Sequence, residues 1–132
     1  MKKSDESKKS YFSYSNVESP QKLLFERLAN KWYLVIICDL DAESGRFNQL
    51  LKRNKGISQK MLSRTLRNLE EDGMLERTVN GKKMPVEVVY RITDFGAELI
   101  NLLAPLTAWA EGNYDKVMKY RNNFSKKYGG SN

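Results

Sequence analysis

Gln59, Lys60, Ser63, Arg64 and Arg67 fall on one side of a single predicted helix, and together they can do one kind of chemistry. Lysine and arginine neutralise phosphates, while the amide of Gln59 and the hydroxyl of Ser63 can both donate and accept, which reading the edges of bases requires. The set points to contact with a polyanion. At about 100° per residue, Leu62, Leu66 and Leu69 lie within about 60° of one another on the opposite side. The same helix therefore buries leucines and presents cations.

Ser58 suits the N-cap of this helix, because its hydroxyl can accept from a first-turn N–H, and Gly73 suits the left-handed position just past its C-terminus. A charge run can be nothing more than a solvated face, but such a face normally mixes signs. From 46 to 69 the chain carries Arg46, Lys52, Arg53, Lys55, Lys60, Arg64 and Arg67 and no Asp or Glu. Those seven cations equal the formal net charge of +7 carried by all 132 residues. A one-signed stretch of this kind is a surface suited to a polyanion.

The rest of the composition excludes other chemistries. The chain has no histidine and one cysteine, Cys38, so a disulfide framework is excluded and neither a transition-metal site nor a cofactor is expected. Histidine is also the commonest general base, and no nucleophile paired with a base stands out, so no enzyme is expected. No run approaches the ~20 apolar residues of a membrane span, and no signal-peptide core is evident; the expected location is the cytoplasm. Asp39, Asp41 and Glu43 lack the glycine and terminal glutamate of a calcium loop and read as the acidic end of a helix. Asp94-Phe95-Gly96 matches a kinase tripeptide, but no phosphate loop or catalytic loop accompanies it.

Around the basic helix the chain organises in order. Residues 1–19 are polar, interrupted by Tyr11, Phe12 and Tyr14, and read as a disordered or partly docked arm. Pro20 opens a helix through Leu23, Leu24, Phe25 and Leu28 that ends near Asn30. The apolar run 31–40 fits a buried helix or a buried strand, and its length favours helix. Arg46 to Arg53 makes a short helix burying Phe47, Leu50 and Leu51, and 54–56 turn the chain into the basic helix. This is a helix-turn-helix arrangement.

Two strands, 74–79 and 86–92, follow, with Asn80-Gly81 as the dipeptide of a type I′ hairpin and Lys82 and Lys83 at the tip. A basic hairpin after a helix-turn-helix is a wing, placed on the sugar-phosphate backbone. Thr93 caps a last helical region, where Leu99, Leu102, Leu103, Leu106 and Trp109 continue an apolar stripe across Pro105, which should kink or split the helix. That stripe suggests burial against another subunit, with packing onto the first helix as the simpler alternative. Residues 122–132 read as a basic, flexible tail beyond a domain spanning 20–121.

On these residues the chain resembles the HxlR-type family of winged-helix bacterial transcription regulators. The resemblance runs from about Leu28 to Glu111 and rests on 30–32 (Asn-Lys-Trp), 46–50, 56–62, 66–73 and 90–96. It implies a mainly α fold with a small β-hairpin, a winged helix-turn-helix flanked by N- and C-terminal dimerisation helices. It also implies a homodimer that binds pseudo-palindromic double-stranded DNA and commonly represses nearby genes. By position, Gln59, Lys60, Ser63, Arg64 and Arg67 would enter the major groove and Lys82 and Lys83 would ride the wing; Arg46 and Ser58 complete the candidate DNA contacts. Leu24, Leu28, Leu99, Leu102, Leu103, Leu106 and Trp109 are the candidate dimer interface.

Several members of the family carry a cysteine before a proline near the start of the first helix and use it to sense electrophiles or oxidants, and here Ser19 precedes Pro20. That leaves Cys38, set among Val35, Ile36 and Ile37, as the one thiol for a redox role, and its neighbourhood reads as that of an inert core cysteine. Two other readings stay open: a winged-helix module that binds protein, and the same regulator gated by a small-molecule effector beside Trp109 and Tyr114.

Overall fold

The computed structural model describes residues 19–129, so the expectations for the arm at 1–18 and for 130–132 lie outside the described residues. Helix α1 spans Pro20–Leu28, with Pro at its first turn and the Ser19 hydroxyl accepting from the Lys22 N–H. Asn30 caps α2, Lys31–Ala42. The ambiguous apolar run is thus a helix, and Tyr33, Ile36, Ile37 and Leu40 are buried at i, i+3, i+4 and i+7. Helix α3, Phe47–Arg53, buries Leu50 and half-buries Phe47 and Leu51, less than expected of those two.

Helix α4, Gln59–Glu71, is the basic helix, and the Ser58 hydroxyl accepts from the Met61 N–H at 3.0 Å as expected of the cap. Leu62, Leu66 and Leu69 are buried with Thr65. The helix closes in a Schellman motif: Met74 N–H donates to the Leu69 carbonyl and Gly73 N–H to that of Glu70, with Gly73 at φ 78°. These leucines meet α2, Leu50, Ile57 and Leu75 in one core, against which Leu99 and Ile100 also pack.

Strands β1, Leu75–Asn80, and β2, Glu87–Ile92, pair antiparallel from Leu75 opposite Ile92 to Asn80 opposite Glu87. A two-residue type I′ turn at Asn80-Gly81 does not form. Such a turn needs positive φ at both central residues, yet Gly56 and Gly73 are the only described residues with positive φ. Instead the Asn80 side chain accepts from the Lys82 N–H at 3.2 Å, an alternative open to Asn, and the connection widens to 81–86. Gly45 adds a short bridge, exchanging backbone hydrogen bonds with Tyr90 at 3.1 and 2.9 Å.

Helix α5 spans Asp94–Gly112, and the Thr93 hydroxyl accepts from the Gly96 N–H. Of the expected kink or split at Pro105, the split does not occur: the helix runs unbroken through that position. Proline removes one intrahelical donor, and the good helix formers around it carry the remaining ladder. The break comes at Asn113, before α6, Tyr114–Phe124, and a π-helical turn over Ser125–Gly129. The expected flexible tail from 122 therefore begins inside a helix. Among the described residues no helix is long and apolar enough to cross a membrane.

Candidate nucleic-acid interface

The site is built on α4 because that helix is fixed on its far side. Its inner leucines are fully enclosed, and its C-terminal end is tied down by Asp72, a residue the sequence pattern does not single out. The Asp72 carboxylate accepts from Arg27 Nε at 2.8 Å and from the Tyr33 hydroxyl at 2.7 Å. These bonds join α1 and α2 to the residue closing α4. Burial, and then the hydrogen bond to Asp72, push the Tyr33 phenol well above its ordinary range, while the hydrogen bond to Asp72 leads in raising Arg27.

On this support Gln59, Lys60, Ser63, Arg64 and Arg67 are all exposed, as are Arg46, Ser58, Lys82 and Lys83. The oxygen of Ser58 is committed as the cap acceptor, leaving its O–H free to donate. Arg67 pairs with Glu71 at 3.6 Å one turn along the helix. An exposed pair of that spacing is worth about 0.3–0.5 kcal/mol, too little to hold Arg67 from a phosphate.

The one-signed stretch is thinner than its sequence. Arg53 turns inward, its guanidinium 2.7 Å from Asp39, 2.9 Å from the Glu43 carbonyl and 3.2 Å from that of Ser44. The acidic run at 39–43 thus ends its helix and clamps an arginine, which leaves the polyanion-facing set. Beside α3 the wing encloses a cleft of about 610 Å³ lined by Arg46, Gln49, Lys52, Lys83, Pro85 and Glu87, among others. Glu87 lies 3.5 Å from Lys83 and 3.8 Å from Arg46. Lys52, one of the seven cations of the one-signed stretch, lines this cleft with Asn48 one turn before it on α3.

Cys38 corrects an expectation: it is exposed, not a core cysteine. The buried stripe of α2 leaves position 38 about 100° past Ile37, on the outer face. Partial burial, and secondarily Asp41, raise its pKa, which keeps the thiol protonated. Of the candidate interface residues on the flanking helices, Leu99 packs on the chain's own core, whereas Leu24, Leu102, Leu106 and Trp109 are exposed and Leu28 and Leu103 half-buried. Trp109 and Tyr114 stand open to solvent at 61% and 62%.

The model of the HxlR-like helix-turn-helix family matches residues 27–118. The uncharacterised HTH-type transcriptional regulator YtcD of Bacillus subtilis strain 168 is 35% identical over 100 residues, covering 76% of this chain and 77% of that protein. Among solved structures, the reduced form of the transcriptional regulator YodB from B. subtilis superposes with a TM-score of 0.64 at 32% identity, over 72% of this chain and 93% of that one. The redox regulator HypR in its reduced form gives a TM-score of 0.68 at 30% identity, over 77% and 100%.

Proposed function

This chain belongs to the HxlR-like helix-turn-helix family of DNA-binding transcription regulators, and on that premise we propose that it acts as a homodimeric repressor that binds pseudo-palindromic operators. In this reading α4 lies in the major groove, where Gln59, Ser63 and Arg64 or Arg67 discriminate bases, a good bidentate contact being worth about 1–3 kcal/mol. Lys60, Arg46, Lys82 and Lys83 neutralise phosphates on either side. The dimer forms through α1 and the exposed apolar face of α5, and two-fold symmetry spaces the half-sites about 34 Å apart.

The observation that carries this reading is the division of α4 into a fully buried leucine side and an exposed side holding Lys60, Arg64 and Arg67. A helix so anchored presents its cations without rearrangement. The test is fluorescence anisotropy on a mixed-sequence duplex at two salt concentrations, comparing wild type with Arg64→Ala/Arg67→Ala. Each phosphate contact contributes a salt slope of about 0.9, so the variant, which loses one arginine that reads a base and one left for a phosphate, should bind roughly 10- to 100-fold more weakly and lose about 1 from the slope per protomer. Binding indifferent to both salt and mutation would turn the reading toward a protein partner for the same surface.

A further inference from the structure

We propose that Met84, at the tip of the wing, is an apolar wedge that enters the minor groove of bound DNA next to the major groove occupied by α4 and opens a base step. The proposal rests on the DNA-binding reading above and assigns the wing tip a role beyond backbone contact.

Met84 is 90% exposed, the most of any large hydrophobic side chain among the described residues, and Val86 two positions on is 53% exposed. Connections at the surface of soluble chains are ordinarily polar, and an apolar side chain held this far into water gains nothing from folding. Its surroundings say what would cover it. Lys82 and Lys83 precede it, and the cleft whose rim it forms with Pro85 and Val86 is also lined by Arg46, Lys52 and Lys83. Four cations thus stand against one carboxylate, Glu87, which pairs with two of them. An apolar tip between lysines matches a groove walled by phosphates and floored by stacked bases.

Reach agrees with charge. The wing leaves α4 through Gly73, and the six residues of β1 extend about 20 Å at ~3.3 Å each. Adjacent major and minor grooves lie about half a turn apart, ~17 Å along the axis. A wing of this length is therefore long enough to carry its tip from the major groove taken by α4 to the neighbouring minor groove. Pro85 fixes its own φ and stiffens the loop directly behind the methionine. Methionine and proline are among the residues that wedge between base steps and kink the duplex toward the major groove.

The experiment uses the full chain and a short duplex recovered from a random pool by the wild type, labelled at both ends so that energy transfer reports bending. Met84→Ala removes no charge and a side chain already exposed, so folding is not at stake. It should bind about tenfold more weakly, leave the duplex straighter and keep the salt slope unchanged. Met84→Leu should retain the bend. Netropsin, which fills the minor groove, should compete with wild type more strongly than with Met84→Ala. Unchanged bending and netropsin competition in Met84→Ala, whatever its affinity, would overturn the wedge while leaving the α4 reading intact. Wild-type binding that ignores salt would overturn both.

Discussion

At the scale of single residues, the side chains that make contact with DNA in the proposed complex depend on others that never reach it. Asp72 is the clearest case, because its two oxygens take donors from Arg27 and Tyr33 and so fix where α4 ends relative to the first two helices. The Tyr33 phenol, normally titrating at 10.0, is raised by burial and by its bond to Asp72. The sign follows from that direction. Below the unfolded value the phenol is neutral in both states and its contribution is fully present. As pH rises past about 10 the unfolded chain ionises first, so stability falls as pH climbs toward the raised folded value. Tyr33→Phe should cost about 1 kcal/mol near neutral pH and show a shallower decline in alkaline solution. Urea unfolding midpoints across that range compare the two; parallel declines would mean that Tyr33 is not the group responsible.

At the scale of elements, the joint between α4, the wing and α5 is a close approach of backbones. Thr93 N–H donates to the Met74 carbonyl at 3.0 Å, and its hydroxyl donates to the Gly73 carbonyl at 2.6 Å. Gly96 lies against that same Met74 carbonyl, and a Cβ there would collide with it. Since backbone cannot yield as a flexible side chain can, Gly96→Ala should cost about 3 kcal/mol and lower the Tm by roughly 10 °C, measured by thermal denaturation. An unaltered Tm would show that the joint has room. The features legible in the sequence are the ones with local causes: the Ser58 cap, the left-handed Gly73, the leucine stripe of α4, the Thr93 cap. Those that escape it are set at a distance or by competing options. Arg53 looks like one more surface cation until folding brings it to Asp39. The outward phase of Cys38 cannot be read from a run apolar on nearly every side, and the Asn80-Gly81 signal yields to a side-chain bond to Lys82 and a wider loop. Asp72 lies within the stretch 66–73 with nothing local to mark it, because its partners lie 39 and 45 positions away.

At the scale of the whole molecule, the protomer leaves an apolar surface that its own core does not use. Leu102, Leu106 and Trp109 are 73%, 63% and 61% exposed on α5, and Leu23 and Leu24 are exposed on α1. Leu102, Leu106 and Trp109, at i, i+4 and i+7, share one face of α5; exposed apolar faces of this kind mark interaction sites, and the proposed homodimer covers it and the exposed leucines of α1 with a second copy. Because these side chains carry little of the protomer's stability, charge can be placed on them without unfolding it. Leu102→Glu/Leu106→Glu should retain the helical circular dichroism of wild type yet sediment as a monomer where wild type sediments as a dimer. The consequence for DNA is larger than any single contact. In the proposed dimer two linked copies of α4 would bind the second half-site at high effective concentration, so the monomeric variant should lose about 100-fold or more on a two-half-site duplex and far less on a single half-site. Equal losses on both duplexes would mean that the substitutions had disturbed α4 itself. A wild-type chain that stays monomeric at micromolar concentration would remove the dimer, and with it the paired spacing of half-sites, while leaving the basic face of α4 to be judged by salt dependence alone.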